Sequence, residues 1–245
     1  MSDTEFDTAL VTAAFRLAGD LGWRDLTVAA AAREGGLSLV EARERFPSRA
    51  AILLRFGRLA DQTALIDAST DGTVRDRLFD LLMRRFDVMQ SHRAGVTALL
   101  RFLPTHPSTA LLLARATKLS MRWMLQAAGV PATGARGEVQ VRGMLAVWLW
   151  GIRAWDRDVS EDLSGTMAAI DNALQRAEQV ASWLHGQSSP APSSSVPESD
   201  MDQASDMDQA PDLDQASDMG RGPDMGQEPA NPPPIEDPPL PEPKT

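Results

Sequence analysis

Apolar side chains recur at steps of three and four along most of the first 187 residues, the spacing that gathers them on one face of an α-helix. Leu10, Val11, Ala14, Phe15, Leu17, Ala18 and Leu21 predict a helix over 7–21, which Gly22 ends. Leu53, Leu54, Leu59, Ala60, Leu65 and Ile66 predict another over 49–67, and Ser69-Thr70-Asp71-Gly72 reads as a loop. A cap signal at Thr73–Asp76 then opens a helix with Val74, Leu78, Leu81, Leu82 and Met89 on its apolar face and Phe86 beside it. A short helix from His92 to Leu103 is closed by Pro104. Pro107 starts the next, where its missing N–H costs nothing, and Gly129-Val130-Pro131 stops it after Ala128. Gly134–Gly137 reads as a small loop. Val139 to Trp155 is apolar nearly all round and must be covered on several sides. Leu163, Met167, Ile170, Leu174, Ala177, Ala181 and Leu184 form a seam that faces a partner helix, in a symmetry mate or in the same chain.

The pattern predicts an all-α fold with a head over 1–68 and a helical body over 69–187. Residues 188–245 differ in kind. They hold 13 of the 17 prolines, no aromatic residue, and a six-residue repeat, SDMDQA-SDMDQA-PDLDQA-SDMG, between Ser199 and Gly220. Such a composition buries too little apolar surface to offset the entropy of ordering, which predicts a disordered acidic tail.

The head is organised around Leu26 to Leu53. Thr27 to Arg33 is a short Ala-rich helix, and Gly35-Gly36 supplies a sharp turn. Ser38 opens a second short helix, with Glu41 at capping-box spacing. That helix ends near Arg45, because Pro47 restricts the residue before it. Ser48 caps a third helix at Arg49. Two short helices joined by a glycine-containing turn, with a third at once, form the helix-turn-helix pattern. Trp23 reads as a core anchor.

Over these residues the chain resembles the tetracycline-repressor (TetR) family of bacterial transcription regulators. The resemblance runs without gaps from Gly22 to Leu53. It includes Gly22, Thr27-Val28, Ala32-Arg33-Glu34, Gly36-Leu37-Ser38 and Phe46-Pro47-Ser48-Arg49. It implies a head that binds a double-stranded DNA operator through Thr27, Ser38, Leu39, Val40, Arg43, Arg45, Ser48 and Arg49. It also implies a homodimer formed through the two C-terminal helices, and a repressor released by a small apolar effector bound in the body. The family commonly carries a Lys-Gly-Thr-Leu-Tyr-like run after Ser38; here stand Leu39, Val40, Glu41, Ala42 and Arg43. Arg43 occupies the place of the aromatic that grips a phosphate. Glu41 and Glu44 add two acids to the reading helix.

The body from Val74 to Trp183 resembles a second group with a TetR-like fold, the lipid-binding accessory proteins of ubiquinone biosynthesis. The shared residues are Arg142-Gly-Met-Leu-Ala-Val147, Trp155-Asp156, and Asp162 through Thr166-Met167 to Ile170. This resemblance implies an isoprenoid-lipid site in place of DNA reading. Under either resemblance Met83, Met89, Phe102, Met121, Trp123, Met124, Met144 and Trp148 are the candidate pocket lining. Core packing is the competing use of each.

Charge sharpens the picture. Residues 188–245 carry 13 acids and 2 bases, while residues 1–187 carry 21 acids and 22 bases. The acidity therefore belongs to the tail and does not exclude a nucleic-acid partner for the rest. Residues 1–60 hold 8 acids and 8 bases, so the head is not basic overall and binds duplex weakly unless it is paired. The chain has no cysteine, hence no disulfide, thiol nucleophile or thiolate metal site. His92, His106 and His185 are not in metal-ligand spacing, and no local arrangement suggests catalysis or a cofactor. The longest strongly apolar stretch, Met144–Ile152, falls far short of the roughly 20 residues that span a bilayer. The expectation is a cytoplasmic, non-enzymatic protein.

Overall fold

Two residues, Ser2 and Thr73, set where the chain first turns helical in the head and in the body. A computed structural model describes residues 1–66 and 68–186, with side chains as far as Ser182. The tail, and with it the expectation of disorder, lies outside the described residues. So does the side chain of Leu184.

Helix α1 spans Asp3–Leu21, α2 Val28–Glu34, α3 Leu39–Arg45 and α4 Arg49–Leu65. Helix α5 spans Val74–Ser91, α6 Arg93–Phe102, α7 Pro107–Ala127, α8 Gly134–Arg157 and α9 Ser164–Gly186. No strand occurs among the described residues. Helix α1 begins at Asp3, four residues before the expected start at residue 7. The Ser2 hydroxyl accepts from the Glu5 N–H, and the Glu5 carboxylate accepts from the Ser2 N–H at 2.7 Å, satisfying two orphan donors at once. Thr73 and Asp76 do the same for α5. Gly22 closes α1 with φ 83°, a conformation that glycine adopts without a Cβ penalty.

Helix α8 corrects the reading of Gly134–Gly137 as a loop: it is the first turn of the helix. Gly137 is there for closeness, because a Cβ at this position would overlap the backbone of Ala132. Pro104 sits in a 3₁₀ turn over Leu103–Thr105, so α6 stops one residue earlier than expected.

The head and the body share a close contact. Gly95 of α6 lies against the Phe15 backbone, leaving no room for a Cβ, and Gly19 meets Ala94 in the same crossing. The Trp23 indole N–H, buried, donates to the Gly95 carbonyl at 2.8 Å. Phe15 packs edge-on to Trp23 at 4.9 Å, confirming Trp23 as a core anchor.

In the body, α8 and α9 run antiparallel. Gly151 meets Ile170, and Asp158 reaches Thr166. Asp158 accepts from the Thr166 N–H at 2.7 Å and hydroxyl at 2.8 Å, and from the Ser160 N–H at 3.1 Å and hydroxyl at 2.5 Å. These bonds, the Ser160 hydroxyl first, hold its carboxyl at about 2, well below the usual carboxylate range. They also brace the turn in which Leu163 takes φ 56°, a left-handed conformation that a branched side chain resists.

The seam on α9 faces inward. Leu163, Ile170 and Leu174 are buried within the one chain, while Met167, Ala177 and Ala181 are half-buried. Leu163, Ile170 and Leu174 therefore belong to the core and not to a subunit interface. A heptad-like stripe shows that a partner helix exists; here α5 and α8 supply it. The expected cover on several sides of α8 is incomplete: Val139, Leu149 and Trp150 are exposed, as is Val180 of α9.

Candidate nucleic-acid interface

The surface that α3 presents begins with three side-chain caps. Thr27 accepts from the Ala30 N–H at 3.1 Å, Ser38 from Glu41 at 3.4 Å and Ser48 from Ala51 at 3.3 Å. Each cap starts its helix where the sequence places it. Glu41 does not return the bond, so the capping box at Ser38 is half-formed. Ala42 and Phe46 are buried and anchor α3 to the head. With these fixed, Leu39 and Val40 turn outward at 44% and 79% exposure, and Arg43 and Glu44 are exposed beside them.

The arginines near Phe46 divide into two kinds. Arg45 is held by the head itself. Its guanidinium donates to Asp7 at 2.9 Å and to the Asp3 carbonyl at 2.9 Å, and pairs with the Asp3 carboxylate at 2.6 Å. Those bonds, Asp7's first, raise its pKa further above the ordinary arginine value. Arg55 approaches the second oxygen of the buried Asp7 at 2.6 Å. Arg49 donates to the carbonyls of Trp23 and Arg24, the latter at 2.5 Å, and so closes the turn between α1 and α2. Arg45 and Arg49, expected at the duplex, thus have their donors committed to the fold. Arg43 has no acid partner among the described residues and stays available.

A groove of about 510 Å³ runs along this surface. Arg24, Thr27, Val28, Leu39, Arg43, Pro47 and Arg49 are among its lining. It gathers Thr27, Leu39, Arg43 and Arg49 of the expected set. Arg24, exposed one turn before α2, was missed: it carries no motif of its own, and only the fold brings it beside Arg43. The groove combines three arginines, of which Arg49 is committed to the fold, with a hydroxyl-capped helix start and aliphatic side chains. That mixture matches phosphate contacts flanking an apolar and hydrogen-bonding reading surface.

The candidate pocket residues of the body are placed otherwise. Met89, Met121, Met124, Met144 and Trp148 are buried, and Met83 and Phe102 half-buried. Trp123 is 64% exposed and does not line an interior site. Its neighbours at 121 and 124 point inward, and the helical repeat turns position 123 out. Between these residues lies a polar lock. Arg85 of α5 donates to Asp61 of α4 and to the Ser120 hydroxyl of α7, and Ser120 donates to Asp61. The Arg85 guanidinium also stacks 4.6 Å from the Trp148 ring, which packs 4.7 Å from Phe86. Burial pushes the Arg85 pKa down, and the Asp61 charge opposes that shift.

The described residues thus define an all-α protein in which a helix-turn-helix head sits on a helical body. Comparison with solved structures names that architecture. A TetR transcriptional regulator from Nitrosomonas europaea superposes with a TM-score of 0.60 at 20% identity, covering 71% of this chain and 99% of that one. A TetR-family transcriptional regulator from Streptomyces coelicolor gives 0.53 at 18% identity, covering 76% and 86%. The chain has the fold of the TetR regulators. No family model matches the sequence, and no curated protein matches it. No helix among the described residues is long and apolar enough to cross a membrane.

Proposed function

We propose that this protein is a cytoplasmic, DNA-binding transcription regulator of the TetR type, acting as a dimeric repressor and not as an enzyme. The observation that carries the reading is the free outer face of α3. Leu39, Val40, Arg43 and Glu44 are exposed together on a helix whose other side is anchored by Ala42 and Phe46. In a helix-turn-helix this second helix enters the major groove, while flanking groups grip phosphates. Thr27, Ser38 and Ser48 sit at helix starts, where a hydroxyl and backbone N–H groups together bind a phosphate. Arg24 and Arg43 supply the free cations.

Dimerisation makes up for a head without net positive charge, since two half-sites share one binding event. The uncovered face of α8 and α9, carrying Val139, Leu149, Trp150 and Val180, is the surface we assign to it. Release follows from population shift. A small apolar ligand taken up among the Met side chains of α5, α7 and α8 would disturb the Arg85–Asp61–Ser120 lock. Because Asp61 lies on α4, the last helix of the head, head spacing would change with it.

Titration of the full-length protein against duplex DNA at several salt concentrations tests the reading. The expected result is salt-sensitive duplex binding, weakened about 5- to 150-fold by Arg43→Ala with unfolding unchanged, and weakened also by Thr27→Ala, which in addition loses about 1 kcal/mol of stability with the α2 cap. No salt-sensitive binding by the wild type would refute it.

A further inference from the structure

The outward side chains of α3, Leu39, Val40, Arg43 and Glu44, span about 140° of the helix at 3.6 residues per turn. Glu44 is the anomaly among them. It is exposed, and among the described residues it has neither a hydrogen bond nor an ion pair. Arg45 next to it is committed to Asp3 and Asp7. One turn back on α3 stand Val40 and Glu41, and the helix ends at Arg45, so nothing on α3 within a turn other than its neighbours Arg43 and Arg45 carries a positive charge.

A free carboxylate carried into a duplex groove is repelled by phosphates and by acceptors on base edges. It is stabilised only by a donor. The major groove offers two kinds of donor, the adenine N6 and cytosine N4 amines. Adenine places its N7 acceptor beside the amine, which repels a carboxylate. Cytosine places no acceptor there. Arg43, the preceding residue, suits guanine, whose N7 and O6 take both prongs of a guanidinium. Consecutive residues rise about 1.5 Å along the helix against roughly 3.4 Å per base pair, so the two side chains reach one pair or adjacent pairs. Val40, one turn earlier, meets a base roughly two steps away, where its methyls suit a thymine methyl.

Resting on the duplex-reading function above, we propose that Glu44 is a specificity residue. Its carboxylate accepts from a cytosine N4 amine next to the guanine held by Arg43, and it rejects the other bases at that position. Exchange of that cytosine for thymine sets the O4 acceptor against the carboxylate. The acid also explains how a head without net positive charge can discriminate: Glu44 lowers affinity for every duplex that does not offer the amine.

Selection of duplexes from a random pool by the full-length protein, then titration of the selected duplex, tests this. Wild type is expected to fix a guanine and a cytosine in each half-site, and the cytosine-to-thymine change to weaken it roughly 5- to 150-fold. Glu44→Ala is expected to keep the guanine, lose the cytosine preference, and bind random duplex more tightly than wild type. A purely structural role would not produce that last gain. If Glu44→Ala selects the same cytosine as wild type, the proposal is overturned while duplex reading stands. If wild type enriches no sequence, duplex reading and the proposal fall together.

Discussion

The outer face of α3 and the junction of head and body treat their charged groups in opposite ways. At the junction Asp61 of α4, from the head, and Arg85 of α5, from the body, tie α4, α5 and α7 together beside the Trp148 ring. In the head the charges that hold the fold, Asp7 with Arg45 and Arg55, are gathered on one side of α3. The other side is left with Arg43 and Glu44 and no internal partner for either. An arginine that has an acid from its own chain at 2.6–2.9 Å serves architecture. One that has none is free to serve a ligand.

The contrast can be broken first at the junction of head and body. Removing one partner of a buried ion pair strands the other charge, which costs about 3–5 kcal/mol. Asp61→Ala should lower stability by that amount in denaturant unfolding. The double variant Asp61→Leu with Arg85→Met should recover most of it, because apolar residues of similar volume replace such pairs at little cost. An Asp61→Ala protein as stable as wild type would mean that the lock holds nothing.

A smaller effect is expected in the head. Arg45→Ala leaves buried Asp7 with Arg55 alone, and roughly 1–3 kcal/mol of stability should go with it. Arg43→Ala should leave stability within about 0.5 kcal/mol, as for an exposed site without partners. Paired melting curves of the two variants decide whether the division between architectural and available arginines is real.

Asp158 adds a pH signature to the body. Its folded pKa of about 2 lies below the unfolded value near 3.9, so its contribution is complete above pH 4 and is lost as pH falls through 2. The shift corresponds to roughly 2.5 kcal/mol. Asp158→Ala should therefore be less stable at neutral pH, with the gap to wild type closing between about pH 4 and pH 2. A gap that stays constant on acidification would show that the carboxylate charge is not what matters.

The smallest change in stability is expected at the outer face of α8. Trp150→Glu should leave the stability of the single protomer almost unchanged, yet convert the proposed dimer to a monomer in sedimentation and abolish any dependence of Tm on protein concentration. Unchanged mass would move the interface elsewhere.

Local signals carried much of this structure. Thr27, Ser38 and Ser48 are caps that act within three residues, so the starts of α2, α3 and α4 were legible from sequence. Long-range partners were not. Nothing around Arg45 announces a carboxylate 38 residues away, and nothing around Arg49 announces the carbonyls of Trp23 and Arg24. Gly137 looks like a loop residue until Ala132 is found against it. The stripe through Leu163, Ile170 and Leu174 has the right period for a helix partner, but period does not say whose helix it is.

The central claim, that the outer face of α3 lies in a duplex groove, is tested most directly by photo-crosslinking from position 40. Full-length protein carrying a photo-reactive amino acid in place of Val40 should crosslink to duplex bases on irradiation, and the same group in place of exposed Val180 should not. Equal crosslinking from both positions, or none from position 40 at saturating duplex, would contradict the account.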